Sequence, residues 1–251
     1  MIVLKTAAEI ERMRRAGAVT ARALARVAEA IRPGVTTREL DAIAEEAIRA
    51  AGGVPAFKGY RGYPASICAS VNEVVIHGIP GERRLEEGDI ISVDIGALVD
   101  GYYGDMARTY PVGAISDEAR RLLEVTGEAL VRGIAAAQAG RRLSDISWAV
   151  QSYVESQGFG VVRDFTGHGI GRQMHEGPAV PNHGRPGRGP RLEPGMVLAI
   201  EPMVTQGGPG VRVLADGWTA VTTDGSLAAH FEDTIAIRDD GVEILTRSHG
   251  V

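Results

Sequence analysis

Four carboxylates and one imidazole stand in frames that are otherwise apolar or glycine-rich. Asp94 lies in Ser92-Val-Asp-Ile-Gly96, Asp105 in Gly104-Asp-Met-Ala-Arg-Thr109 and His168 in Gly167-His-Gly-Ile-Gly171. Glu201 lies in Ala199-Ile-Glu-Pro202 and Glu232 in His230-Phe-Glu-Asp-Thr234. Taken one at a time, each would be read as a surface charge, a turn former or a loop histidine. Taken together they suggest metal chemistry. Four carboxylates cannot all stay ionised in one cleft unaided. Two divalent cations would cancel their charge. Oxygen donors with a single imidazole suit Mn, Fe, Co or Mg better than a thiolate-type zinc site. A pair of such ions is a standard device for activating water at a carbonyl or phosphoryl group. The glycines around His168 do not make a dinucleotide site, because their spacing is wrong and no strand–helix–strand unit with a downstream ribose acid follows.

These residues need strands to hold them. Asp100-Gly101 is a two-residue hairpin signal between Ile90–Val99 and Tyr102–Val112. In that register Val99 faces Tyr102 and Asp94 faces Ala107. Asp105, two residues from Ala107, then shares a face with Asp94 as its diagonal neighbour, about 7–8 Å away at the backbone. Further strands are expected at Ser66–Val75, Val197–Val204, Trp218–Thr222 and Phe231–Ile237. In the last, His230, Glu232 and Thr234 take one face and Phe231, Ile235 and Ile237 the other. Glu201 closes a buried strand, where a carboxylate requires partners. The stretch Pro178–Pro194, dense in Gly, Pro and Arg, reads as loop.

Helices fill the rest. An apolar stripe from Ile10 to Ile31 predicts a helix over 7–31, ended by Pro33-Gly34. Thr36 and Glu39 form a capping-box pattern for Arg38–Ala51, closed by Gly52-Gly53. The layout returns: Ser116 or Asp117 caps a helix to about Ala139, Gly140 breaks it, and Ser144 caps another that ends at Gly158. Gly140, Asp145, Ile146 and Gly158 each follow Gly34, Glu39, Leu40 and Gly52 by 106 positions. This constant offset predicts an internal duplication, with halves about 1–112 and 113–251 and a site at their junction. The expectation is one α/β (α+β) domain over 1–251, with mainly antiparallel strands and helices on one side.

Composition excludes other classes. In 251 residues there are 27 Lys+Arg and 32 Asp+Glu, a net charge of −5, which is no basis for a strongly basic nucleic-acid binder. Hydrophobic residues are 44%, so the chain can build a core and is not a disordered one. The lone Cys68 rules out an intrachain disulfide framework and fits a reducing compartment. No apolar run is long enough to span a bilayer, and the charged N-terminal stretch lacks a signal-peptide core. A cytoplasmic protein without membrane contact is expected.

The five segments, in this order, resemble the type I methionine aminopeptidases. The likeness covers essentially the whole chain. It includes Lys5-Thr-Ala-Ala-Glu-Ile-Glu-Arg-Met-Arg, Val71-Asn-Glu-Val-Val-Ile-His-Gly-Ile-Pro80, Gly195-Met-Val-Leu-Ala-Ile-Glu-Pro202 and Asp216-Gly-Trp218. It implies the pseudo-symmetric pita-bread fold and removal of the initiator Met from nascent proteins whose second residue is small. It implies two divalent ions (Co, Mn, Fe or Zn) on Asp94, Asp105, His168, Glu201 and Glu232, with Asp105 and Glu232 bridging. It also implies Glu201 as proton acceptor and donor, His175 at the scissile carbonyl, and His77 beside the leaving nitrogen. The Met pocket falls on Tyr60, Tyr63, Cys68 and Trp218, with Phe57 and Met174 next to them. His230 and Asp233 stand where many relatives carry Gln and His, and Met174 and Phe57 where Phe and Cys are usual.

The compact spacing of His168, Glu201 and Glu232 resembles the bacterial form, a monomer by default. A related Xaa-Pro-type peptidase and a non-catalytic peptide-binding module with the same fold are the alternatives. A transient ribosome contact would need a local basic patch, and Arg185, Arg188 and Arg191 are weak candidates, a solvated loop being the favoured reading.

Overall fold

A computed structural model describes residues 2–247. Its elements run α1 (Ala7–Ala30), α2 (Thr37–Ala50), β1 (Val54–Pro55), β2 (Ile67–Val71), β3 (Val74–Ile76), β4 (Ile90–Val99), β5 (Tyr102–Pro111), α3 (Asp117–Ala136) and α4 (Leu143–Ser156). There follow β6 (Gly160–Val161), β7 (Thr166–Gly169), β8 (Glu176–Pro181), β9 (Val197–Ile200), β10 (Met203–Thr205) and β11 (Val211–Val213). The last are β12 (Ala220–Thr222), β13 (Ala228–His230), β14 (Glu232–Arg238) and β15 (Gly241–Ile244).

The caps explain where the helices begin. Thr6 and Thr36 each accept from a backbone N–H three residues on, and Glu9 and Glu39 reach back to the cap N–H. Ser116, not Asp117, caps α3. Ser144 was expected to cap α4. Instead Arg142 is the cap residue, its N–H held by Asp145, and the Ser144 hydroxyl is engaged with the backbone of Arg188. α3 also stops at Ala136, short of Ala139, because Ala137 leaves helical geometry.

The main sheet has nine strands, in the order β1-β4-β5-β14-β9-β7-β8, with β2 also on β4 and β15 on β14. Its pairings are antiparallel. The β4–β5 register is the expected one: Val99 faces Tyr102 and Asp94 faces Ala107. Alternation along β4 sends Ile91, Val93, Ile95 and Ala97 into a core with Leu24, Val27, Leu40 and Ile48 of α1 and α2. Leu198 and Ile200 of β9 pack with Leu130 and Ile134 of α3. The polar residues of β4 are left for the other face. A curled antiparallel sheet covered by two helix pairs is the pita-bread architecture.

The repeat extends beyond the helices. Leu85-Glu86 and Leu192-Glu193, then Gly88 and Gly195 with φ of 93° and 94°, then the starts of β4 and β9, are each 107 positions apart. The Arg84 guanidinium donates to the carbonyl of Gly34, and that of Arg191 to the carbonyl of Gly140. By the same offset Asp94 corresponds to Glu201.

Four strand expectations change. Ser66–Val75 is two strands, because Asn72 turns the chain with φ of 56°. Val197–Val204 is broken at Glu201-Pro202, where Pro202 cannot donate to a ladder. Trp218–Thr222 shortens to Ala220–Thr222, since Asp216 caps a turn that contains Trp218. Phe231 interrupts Phe231–Ile237, leaving β13 and β14 on either side. Part of the expected loop Pro178–Pro194 is strand β8. It is an edge strand that pairs with β7 and takes an isolated bridge from Ile2 at Gly177, and its two prolines are tolerated there.

Candidate metal centre and apolar pocket

Each candidate ligand is held by a different strand feature. Asp94 sits mid-strand on β4, opposite Cys68 of β2 and Ala107 of β5. Asp105 faces Gly96, and its backbone N–H and C=O both bond the Thr234 hydroxyl, at 3.1 and 2.8 Å. His168 lies on β7 between two glycines that backbone crowding requires. A β-carbon on Gly167 would collide with the Ala199 carbonyl, and one on Gly169 with the Gly177 carbonyl. Glu201 occupies the break after β9, its carbonyl held by the buried Asn182 amide at 2.8 Å. Glu232 begins β14 opposite Ala107.

The five converge. His168 Nε2 is 3.8 Å from Asp105 Oδ2 and 3.7 Å from Glu201 Oε1. Ligand atoms of Asp105, His168 and Glu232 lie within 4.8 Å of one another. Asp94 Oδ1, Asp105 Oδ1 and Glu232 Oε1 are buried with no hydrogen-bond partner. Orphaned carboxylate oxygens are costly unless something cationic meets them. Burial pushes the proton affinities of Asp94, Asp105, Glu201 and Glu232 up, and the neighbouring carboxylates add to the rise at Asp94, Glu201 and Glu232. Burial pulls His168 down to about 4, which leaves its imidazole neutral at pH 7. Its Nδ1 bonds the Gly169 carbonyl at 2.9 Å. That contact fixes the tautomer with the Nε2 lone pair facing the carboxylates, as expected for a ligating histidine. The donor set fits divalent metal.

A cavity of about 150 Å³ opens onto this cluster. All the predicted pocket and substrate residues line it: Phe57, Tyr60, Tyr63, Cys68, His77, Met174, His175 and Trp218. The Tyr63 hydroxyl donates to the carbonyls of Ile67 and Gly78, so its ring serves as wall and its oxygen as structure. Trp218 meets Tyr63 edge-on with centroids 5.0 Å apart. His77 has φ of 59°, a left-handed conformation that it shares with the turn residues Asn72 and Asp100. His175 is exposed, its ring 4.2 Å from that of His168 and its Nδ1 2.8 Å from the Tyr60 hydroxyl. Arg61 also lines the cavity, a residue with no sequence signal beyond lying next to Tyr60.

His230 was recognised only as a departure from the usual pattern. It proves to be buried, with Nε2 3.4 Å from Glu201 Oε2. The hint was its shared parity with Glu232. A larger groove of about 1120 Å³ lies on the far face of β14, over α3. It collects Arg108, Asp233 and aliphatic side chains and none of the ligands.

The model of metallopeptidase family M24 matches residues 11–239. The chain belongs to that family. The methionine aminopeptidase of Clostridium acetobutylicum is 58% identical over 247 residues, 98% of this chain and 99% of that one. The crystal structure of methionine aminopeptidase from Thermotoga maritima superposes with a TM-score of 0.97 at 50% identity, covering 98% of this chain and all of that one. The Xaa-Pro dipeptidase from Bacillus anthracis superposes less closely. It gives a TM-score of 0.80 at 27% identity, and the match spans 99% of this chain but 63% of the dipeptidase. Proteins named for different peptidase activities therefore share this frame.

Proposed function

We propose that this protein is a methionine aminopeptidase that removes the initiator Met from nascent polypeptides when the second residue is small. One observation carries the reading: a small apolar pocket ends on the cluster of carboxylates with unpartnered oxygens. Near full-length identity to methionine aminopeptidases supports it. It also favours this function over the Xaa-Pro alternative. The chain acts as one catalytic domain whose halves, about 1–112 and 113–251, each supply ligands.

Asp94, Asp105, His168, Glu201 and Glu232 would hold two divalent ions, drawn from Co, Mn, Fe or Zn, with Asp105 and Glu232 shared between them. Bound there, the ions would supply Lewis-acid polarisation of the scissile carbonyl and a lowered pKa for an attacking water. The protein does the rest. Glu201, on the cavity wall, takes the proton of the attacking water and returns it to the leaving amine. Although His175 is exposed at the pocket mouth, the packing of its ring on Tyr60 and His168 removes part of its water, and with the Arg61 charge nearby this lowers its pKa and favours the neutral ring. With the Tyr60 hydroxyl donating to Nδ1, the proton of His175 sits on Nε2, free to donate to the carbonyl oxygen as charge develops. His77, also neutral through burial, stands at the pocket edge beside the leaving nitrogen. Tyr60, Tyr63, Cys68, Trp218, Phe57 and Met174 enclose the thioether, where sulfur–aromatic contact favours Met. No helix among the described residues is long and apolar enough to cross a membrane. The expected setting is a cytoplasmic monomer that meets chains leaving the ribosome.

The deciding experiment offers Met-Ala-Ser, Leu-Ala-Ser and Met-Ile-Ser to metal-stripped protein, then restores Mn, Co, Fe or Zn singly. Release of Met from Met-Ala-Ser alone, and only with metal, is the expected result. Absence of cleavage with every metal would leave a peptide-binding module instead.

A further inference from the structure

Glu201 lies between two imidazoles. Oε1 faces His168 Nε2 at 3.7 Å, and Oε2 faces His230 Nε2 at 3.4 Å. The two histidines differ in what fixes their tautomers. His168 gives its Nδ1 proton to the Gly169 carbonyl, which leaves the Nε2 lone pair for a cation. His230 makes no Nδ1 hydrogen bond among the described residues, and its Nε2 is buried without a partner. Its backbone is held in place. The His230 N–H donates to Thr109 Oγ1, whose hydroxyl donates to the His230 carbonyl, and Met203 pairs with His230 across β10 and β13. Glu201 Oε2, 3.4 Å away, is a carboxylate oxygen within reach of a proton carried on His230 Nε2.

We propose that His230 is a positioning residue, donating from Nε2 to Glu201 Oε2 so that Glu201 keeps Oε1 toward His168 and the metal centre. The inference rests on the metal-centre reading above. It opposes a competing geometry, since ligand atoms of Glu201, His230 and Glu232 also lie within 4.8 Å of one another, close enough for His230 to be a sixth ligand. The two roles demand opposite tautomers. A donor carries its proton on Nε2, and a ligand must leave Nε2 bare.

Co(II) titrations of the full chain, followed by d–d absorption and calorimetry, separate the roles. Failure of the unsubstituted protein to bind Co(II) would overturn the metal-centre reading itself, independently of His230. If it binds, His230→Gln, which retains an N–H donor, should keep the d–d spectrum and hold Co(II) within about twofold of the parent. His230→Leu, which has no donor, should lose about 10–100-fold in Co(II) affinity or turnover, the usual cost of removing a partner that orients a ligand. In that variant kcat should fall and KM stay nearly constant. A changed d–d spectrum in both variants would make His230 a ligand and overturn the proposal. So would a Leu variant indistinguishable from the parent. Should the Leu variant not fold, ¹¹³Cd loaded into ¹⁵N-histidine protein decides without mutation. A ¹¹³Cd coupling to His168 Nε2, together with a protonated His230 Nε2, is expected. A coupling to His230 would refute the donor role.

Discussion

Asp105 and Glu232 are nearly inaccessible, and both hold their protons more tightly than free carboxyls because burial disfavours their charge. Once the protein is chelated, that property governs its stability. Carboxyls with raised values keep protons in the folded state that the unfolded chain has released, so stability falls as pH rises through the raised values. The buried histidines oppose this at lower pH. His77, His168 and His230 are depressed to about 4, 4 and 3, so the unfolded chain gains protons first as pH falls below its ordinary histidine value. Above about pH 6.5 only the carboxyl effect remains. Chelated protein should therefore lose melting temperature as pH rises from about 6.5 through the raised Asp105 value of about 7, and Asp105→Asn should flatten that part of the slope. A flat profile in the parent would mean that the carboxylates are stabilised by something other than protons or metal. Asp105→Ala or Glu232→Ala should abolish turnover yet leave the chelated melting temperature within a few degrees. A double-digit loss would make these groups structural. His175→Ala should lower kcat about 100-fold with little change in KM, because its donor acts on developing charge. A raised KM at unchanged kcat would remove it from the carbonyl.

At the scale of elements, legibility followed local chemistry. The Asp100-Gly101 hairpin fixed the β4–β5 register, and with it the shared face of Asp94 and Asp105, because a two-residue loop leaves one parity. The capping boxes marked α1 and α2, since both of their hydrogen-bonding partners lie within four residues. What escaped reading depended on distant partners. β7 is Thr-Gly-His-Gly, with little strand propensity, and exists because β8 and β9 pair with it on both sides. The Glu201-Pro202 and Phe231 breaks are likewise invisible locally, yet they bring Glu201, His230 and Glu232 together. The place of His230 was illegible for the same reason, as the Glu201 carboxylate it faces is 29 residues away in sequence. The glycine frame of β7 gives a direct test. In Gly169→Ala the new methyl must push the Gly177 carbonyl, spreading β7 from β8 and displacing His168 and His175 together. The cost should be about 1–3 kcal/mol in urea unfolding, with a matching fall in metal affinity by calorimetry. A variant of parental stability and affinity would show that the strands have room.

In the molecule as a whole, the cluster of candidate metal ligands lies at the seam between the repeated segments. Asp94 and Asp105 come from β4 and β5, and His168, Glu201 and Glu232 from β7, β9 and β14, so bound metal would tie the two sets of strands. Without metal the seam rests on little direct pairing. β5 and β14 share the register pairs Glu232–Ala107 and Asp233–Met106. On the far face Arg108 grips both Asp233 oxygens at 2.9 Å and reaches the Glu232 carbonyl, and the Thr246 hydroxyl holds Asp233 at 2.7 Å. On the near side Thr234 alone satisfies both backbone groups of Asp105. Four apolar clusters cross the seam: Ile10, Met13 and Tyr102 against Ile170, Val197, Ala236 and Leu245; Ile90 against Ala119 and Leu122; Tyr63 and Cys68 against Met174; and Val75 and Ile76 against Val162, Met203 and Ala220. Thr234→Val keeps the shape and volume and deletes both hydrogen bonds, leaving a buried donor and a buried acceptor unpaired. The expected loss is about 2–4 kcal/mol in chelated protein, as one cooperative transition, because the four crossing clusters and the β3–β12 pairing still couple the two sides. Saturating Mn should restore much of the midpoint by binding only the folded form, and Thr234→Ser should behave like the parent. Two separate unfolding transitions in Thr234→Val would instead mean that the hydroxyl, more than the apolar clusters, makes the two sides fold as one.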